Sequence, residues 1–421
     1  MIDANEFASR RARLMDRLED DSAVLLFSGV AKSMSADASY PFEVNRNFYY
    51  LTGIDQEDSA LFLVKSEGAC REFLFISPFD PVKEKWYGRR LTPEEAARKS
   101  GIRNVLLNSA LSTRIDSFCN PSGICGGQVK SLYFDFEKEQ KIAADTYAVD
   151  YQHTMAKLYP DLPQRDCYGL ITSLRAVKSK AEIAEFRQAV EHTRLGIQAI
   201  MAGTRDGVYE YELAHSFFHV INDDSHGQGL SFDTIIATGE NAATLHYVAL
   251  QSRAKKGQLL LMDVGAREGY YCADVSRTVP VGGKFDEFQR TVYEIVLGAN
   301  KEVARFAGPG KSIRDLQNHV TEYLANECLA KGIIAKKEDI ANYFFHGVSH
   351  HIGLDTHDPV GTKEEPLKPG NIISDEPGFY WKEKGIGIRI EDDLLITENG
   401  CEVLTQGIIK EIDDIEHFYR R

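Results

Sequence analysis

"MDVGAREGYYCAD" (residues 262–274) puts one carboxylate, Asp263, at the end of the apolar run Leu259-Leu260-Leu261-Met262 and a second, Asp274, eleven positions later. The run reads as a buried strand, where an unpaired carboxylate is costly to desolvate. Glu268-Gly269 lies midway between the two acids and suits a two-residue hairpin turn, with the glycine supplying positive φ. That turn would set Asp263 and Asp274 directly opposite each other, Cβ atoms roughly 4.5–5.5 Å apart. Like charges so placed need either a shared proton or an intervening cation, and the cation is the better reading.

A second pair repeats the pattern. Glu376 in "IISDEPGFY" and Glu391 in "IGIRIEDD" both sit in strand-like contexts, and a hairpin turning near Glu383-Lys384 would bring them opposite. Ordinary ion pairs with Arg277 and Arg389 are the alternative for these acids. Four buried negative charges exceed what one proton can neutralise. Histidines gather nearby in sequence: His346, His350, His351 and His357 fall within twelve positions of "FFHGVSHHIGLDTHD", and His246 ends "ATGENAATLH". His351 reads as an ordinary hydrogen-bonded residue. His215 and His219 stand at helical spacing, but no carboxylate motif accompanies them, so they read as helix packing.

At 421 residues the chain predicts two domains. The first part alternates strand-like runs (22–27, 59–64, 71–76, 131–136) with helical ones (92–100, 137–159), which gives an α/β domain over 1–165. The start, MIDANEFASRRARLMDRLED, reads as an amphipathic helix without the apolar core of a signal peptide. The aperiodic stretch PDLPQRDCYG (160–169) marks the boundary. Beyond it Ser179 and Glu182 form a capping box, opening a helix that buries Phe186, Val190, Ile197 and Ile200. Long helices (179–202, 209–221, 286–306, 312–331) and strands at 233–237, 258–264, 270–275, 372–376 and 387–396 predict an α+β domain over 170–421 with a largely antiparallel sheet.

Composition narrows the class. A net charge of −14 disfavours nucleic acid or an anionic membrane as main partner. No stretch approaches the roughly 20 apolar residues of a membrane-spanning helix. The seven cysteines are scattered, odd in number and without a Cys-x-x-Cys pair, which fits a reducing cytoplasm. No Gly-x-Ser-x-Gly elbow supports a serine hydrolase.

The motifs DVGAREGYYCADVSRTVPVGGKF, HGVSHHIGLDTHD, EPGFY and GIRIEDD resemble, in order and context, those of the pita-bread metallopeptidases (the creatinase/aminopeptidase-like fold). The segments YPFEVNRNFYYLTGI (40–54) and WYGRRL (86–91) resemble the amino-terminal domain of the aminopeptidase P and prolidase branch. The resemblance implies two divalent metal ions, manganese for preference, held by Asp263, Asp274, His350, Glu376 and Glu391. Asp274 and Glu391 would bridge; Asp263 would serve one ion, His350 and Glu376 the other. It implies catalytic roles for Glu376, as proton shuttle, and for His246 and His357, which would hold the scissile carbonyl oxygen. His346, Tyr380 and Arg389 would orient ligands or substrate.

The implied reaction is hydrolysis of an Xaa-Pro bond in proline-containing peptides, releasing the N-terminal residue. Xaa-Pro dipeptidase activity is the neighbouring alternative. A metal-free binding module or amidinohydrolase is remote, since this chain keeps all five ligand positions. A homodimer or homotetramer is expected, with Trp86 either a core residue or a contact to a neighbouring subunit's site. Three departures bear on substrate choice rather than on metal: Asp375 before Glu376, His351 after His350, and a short segment between Tyr380 and Arg389.

Overall fold

The unbroken apolar run SAVLLF becomes β1 (Ser22–Phe27), buried at every position, as befits a strand covered on both faces. The computed structural model describes residues 2–125, 128–137, 146–222 and 229–420. They form two units that divide between Arg175 and Ala176.

In the first unit β1 joins β2 (Ala60–Ser66), β3 (Ala69–Ile76), β4 (Val105–Leu107), β5 (Ser131–Phe134) and β6 (Gln164–Asp166) in the order β4-β3-β2-β1-β5-β6. β2 runs antiparallel to both of its neighbours, and the remaining pairings are parallel. One face packs Leu25, Phe62, Phe75 and Phe134 into a common core. The amphipathic start is helical over Ala4–Asp16, capped by the Asp3 carboxylate. Thr92 and Glu95 cap the helix Pro93–Ser100 reciprocally, with Pro93 in its first turn. Of the helix expected over 137–159, Tyr147–Leu158 is helical, and 138–145 lie outside the described residues. The aperiodic stretch after Pro160 holds β6 and leads into a helix at Tyr168–Arg175. A three-residue strand is too short to carry a period.

In the second unit all ladders among the described residues are antiparallel. The strands are β7 (Ile235–Thr238), β8 (Leu259–Val264), β9 (Arg267–Glu268), β10 (Tyr271–Cys272), β11 (Val275–Pro280), β12 (Ile372–Asp375), β13 (Gly378–Trp381), β14 (Ile386–Arg389), β15 (Asp392–Thr397) and β16 (Gly400–Val403). β8 lies between β7 and β11, and β15 between β12 and β16. Four long helices (Lys180–Gly203, Glu210–Asn222, Glu287–Phe306, Ile313–Ala330) contribute apolar faces to one continuous core with these strands. Ser179 and Glu182 form the expected capping box. His215 and His219 are exposed on Glu210–Asn222, whose buried face is Leu213, Ala214, Phe217 and Ile221. They therefore do not pack the helix, contrary to the sequence reading.

The two hairpins differ in how they meet expectation. Between β9 and β10 the turn is Gly269-Tyr270, with φ of 53° and 68°. The turn thus lies one residue later than Glu268-Gly269, because Tyr270 accepts a left-handed conformation uncommon for its type. Asp263 consequently pairs with Ser276, and Asp274 becomes its diagonal neighbour on the same face. The second hairpin keeps the expected register. Gly378 pairs with Arg389 and Asp375 with Asp392, so Glu376 and Glu391 lie opposite each other between those two ladders.

Candidate metal centre

Buried acids meet where the hairpin ends converge. Ligand atoms of Asp263, Asp274 and Glu391 lie within 4.8 Å of one another, as do those of His350, Glu376 and Glu391 and those of Asp274, His350 and His357. The five side chains singled out as metal ligands are thus brought together. β8 delivers Asp263, the β10–β11 link delivers Asp274, and the β14–β15 link delivers Glu391. His350 is fixed through its backbone, whose N–H donates to Ser374 Oγ (2.9 Å). Its ring Nε2 lies 3.4 Å from both Asp274 Oδ2 and Glu376 Oε1, and Nδ1 is turned to the His351 carbonyl at 3.1 Å.

Charge dominates the electrostatics. Burial pushes the Glu376 carboxyl up to about 7, opposed by His350 and reinforced by Asp274. Burial, then the neighbouring acids Asp274 and Glu376, raises Glu391 well above the usual carboxylate range. Asp263 is raised by burial, although Arg389 pulls the other way. His350 is raised to about 9: burial opposes its proton, but the hydrogen bond to Asp274 and the charge of Glu376 outweigh it. The carboxylates therefore call for more positive charge than His350 and Arg389 provide. Asp263 shows where it would go. Its Oδ2 accepts from Arg389 Nη2 at 2.6 Å, while Oδ1 is buried without a hydrogen-bond partner among the described residues. Four carboxylates and one imidazole suit a hard or borderline divalent cation.

Arg389, Tyr380 and His346, expected to orient ligands or substrate, lie beside this set in one hydrogen-bonded chain. Arg389 also donates to Ser276 Oγ (2.7 Å) and to the Tyr380 hydroxyl (2.9 Å). The Tyr380 hydroxyl in turn lies 2.8 Å from His346 Nε2. Burial, and after it the charge of Arg389, pulls His346 down to about 4, so it is neutral at physiological pH. His357 stacks edge-on to His350 with ring centroids 4.3 Å apart, and desolvation holds it below the ordinary histidine value. His246 is exposed.

Two residues escaped the sequence reading. Ser276 donates to Glu391 (2.8 Å) while accepting from Arg389, which ties one acid to the cation that holds another. Asp393 accepts from the Asp274 backbone N–H at 3.3 Å, and burial raises its pKa well above normal. Each stands two positions beyond a predicted ligand, on the same face of a strand. That parity was the available signal.

Asp375 points away from the site. It is buried and accepts from Asn300 Nδ2 at 3.1 Å, as alternation along a strand requires.

This constellation has close relatives. The family model of metallopeptidase family M24 matches residues 184–398, and that of the aminopeptidase P N-terminal domain matches residues 7–124. The chain belongs to metallopeptidase family M24. It is 34% identical to an Xaa-Pro aminopeptidase of Haemophilus influenzae over 98% of this chain and 96% of the relative. Its fold is similar to a Bacillus anthracis structure provisionally described as an aminopeptidase P, with TM-score 0.96, 38% identity, and 100% of this chain and 99% of that one covered. It is also similar to a zinc-substituted Escherichia coli aminopeptidase P in complex with product, with TM-score 0.90, 31% identity, and 100% and 98% covered. This M24 chain is a metal-dependent peptidase: an aminopeptidase P-type N-terminal domain followed by a pita-bread catalytic domain. Among its described residues no helix is long and apolar enough to cross a membrane.

Proposed function

We propose that this chain is an Xaa-Pro aminopeptidase, removing the N-terminal residue from peptides whose second residue is proline. The observation that carries the reading is the convergence of Asp263, Asp274, His350, Glu376 and Glu391, with a buried Asp263 oxygen left over for a cation. The full-length likeness to proteins that bear this name supports the choice of substrate.

In this reading the five side chains would hold two divalent ions, manganese for preference, with Asp274 and Glu391 serving both. The ions would supply Lewis acidity and a water acidified toward neutral pH. The protein's own groups do the rest. Glu376 accepts a proton at a carboxylate oxygen and returns it to the departing proline nitrogen. His357 and His246 donate N–H groups to the scissile carbonyl oxygen as negative charge develops there. Arg389 fixes Asp263 and, through Tyr380, the neutral His346 ring at the edge of the site. The pocket must accept a tertiary amide, because the bond cleaved precedes proline.

A cytoplasmic homo-oligomer completes the proposal. Phe79, Val82, Trp86 and Tyr87 form an exposed apolar run in the first unit, Trp86 at 80% exposure, so its side chain does not belong to that unit's core.

The test of the substrate is a peptide panel. Ala-Pro-Ala should lose its first residue, and Ala-Ala-Ala should be cleaved far more slowly. Comparable rates would point to a broader aminopeptidase. Cleavage confined to the dipeptide Ala-Pro would make the chain a dipeptidase.

A further inference from the structure

Glu210 is fully buried at the start of the helix Glu210–Asn222, far in sequence from every proposed ligand, and the chemistry above makes no use of it. Among the described residues its carboxylate meets only neutral donors. Oε1 accepts from the Thr238 N–H (2.8 Å), the Thr238 hydroxyl (2.8 Å) and Asn241 Nδ2 (3.0 Å). Oε2 accepts from the Tyr247 hydroxyl (2.9 Å) and the Ser252 N–H (2.9 Å). Desolvating a carboxylate for five neutral partners is costly, so the arrangement asks for a purpose beyond filling space.

The donors supply one. All of them lie on the segment from Thr238 to Ser252, at both of its ends and at two points within. Asn241 also donates to Ser252 Oγ (2.9 Å), and the Glu210 N–H donates to the Ser252 carbonyl (3.0 Å), so one carboxylate closes the segment into a loop. His246 stands on that loop. Leu245 and Tyr247 on either side of it are half-buried and pack against a cluster of Ile235, Ala237, Ala242, Leu261 and Tyr380, while His246 itself is exposed. The loop thus rests on the tyrosine that contacts Arg389 and His346. It is held close to β14 as well: a Cβ on Gly387 would stand 2.3 Å from the Ala242 carbonyl oxygen, so only glycine fits there.

We propose that Glu210 is a positioning residue, which sets the path of the 239–252 loop through Tyr247, Asn241, Thr238 and Ser252 so that His246 reaches the substrate. The inference rests on the role given to His246 under the proposed function. Among the described residues the Glu210 carboxylate bonds to none of the proposed metal ligands. It acts by removing the freedom of the loop that carries His246, and a displacement of about 1 Å there is enough to cost catalysis.

The experiment is a double-substitution cycle on the metal-loaded full chain with Ala-Pro-Ala as substrate. Glu210→Gln keeps the shape but turns an amide NH₂ toward donors. It should lower kcat about tenfold, with KM within about twofold and metal content per chain unchanged. Combined with His246→Ala, it should lower kcat by less than about twofold further, because the residue it positions is gone. Equal losses in both backgrounds overturn the inference, as does wild-type turnover of Glu210→Gln. His246→Ala with wild-type turnover overturns the assigned role of His246 and the inference with it. If Glu210→Gln fails to fold, Tyr247→Phe replaces it in the same cycle. It removes one anchor and should cost about threefold in kcat in the native background, and nothing measurable beside His246→Ala.

Discussion

His350 and His357 lie with ring centroids 4.3 Å apart, yet the proposed chemistry gives them different work. His350 Nε2 faces two carboxylates at 3.4 Å, as a ligand would, whereas His357 keeps solvent exposure and is only partly desolvated, which holds it below the ordinary histidine value. His357→Ala should therefore keep its metal while turnover falls by about 10²–10³, the usual cost of one oxyanion donor. His350→Ala should lose metal affinity and recover activity in part at high manganese. Elemental analysis and steady-state kinetics of the two variants decide this, and the reverse pattern would mean that the roles are exchanged. Asp274→Asn and Glu391→Gln should each deplete both ions, because each acid is proposed to be shared. Retention of two ions by either variant would refute the sharing. At this scale the four converging acids were readable because acids in apolar runs are costly enough to signal a purpose, whereas His350 stood out from the neighbouring histidines only through the family resemblance. Glu210 was not readable, since a glutamate in a helix is ordinary until its partners are known, and Ser276 offered only its place two residues beyond Asp274 on the same strand face.

Strand alternation places a second layer of charge beneath the ligands. Asp375 and Asp392, adjacent in sequence to Glu376 and Glu391, pair across β12 and β15 on the opposite face. Asp392 accepts from Arg277 Nη2 (2.8 Å), Thr405 Oγ1 (2.7 Å) and Lys410, while Arg277 also donates to the Glu391 carbonyl and to those of Ile408 and Ile409. Although burial alone would raise it, Arg277 and then Lys410 hold the Asp392 carboxyl well below its ordinary value of 3.8. A depressed folded-state pKa stabilises the protein above the unfolded value, and that contribution is lost as pH falls through the folded one. Asp392→Asn leaves the buried Arg277 and the half-buried Lys410 without their anion, and it should cost about 3 kcal/mol in denaturant unfolding at pH 7. Its deficit should shrink as both proteins are taken below pH 4; a deficit independent of pH would show that Asp392 is not the ionised partner. The register of β13 and β14 was legible because the acids and the turn agreed. That of β8 and β11 was misplaced by one turn residue because Tyr270 adopts φ of 68°. The error left the face unchanged, which is why the acids still converge. The helices Arg46–Thr52 and Tyr168–Arg175 were invisible, since seven or eight residues make too few turns for a period to stand out.

For the whole molecule, the sequence carried the order α/β unit then α+β unit, since strand–helix alternation gives way after residue 180 to long capped helices and antiparallel hairpins. Whether Trp86 sits in a core or on a surface was not legible in it, because an exposed tryptophan and a buried one look alike until the chain folds. Trp86→Ala should weaken self-association, as sedimentation velocity would report, while leaving the thermal transition of the first unit nearly unchanged. A lowered transition without any change in association would place Trp86 back in a core. The account as a whole stands on metal-dependent cleavage before proline, and one titration tests it most directly. Chain stripped of metal by chelation and dialysis is titrated with manganese while release of alanine from Ala-Pro-Ala is followed. No activity is expected at zero metal, followed by a rise that saturates at two ions per chain. Full activity in the stripped protein would contradict it.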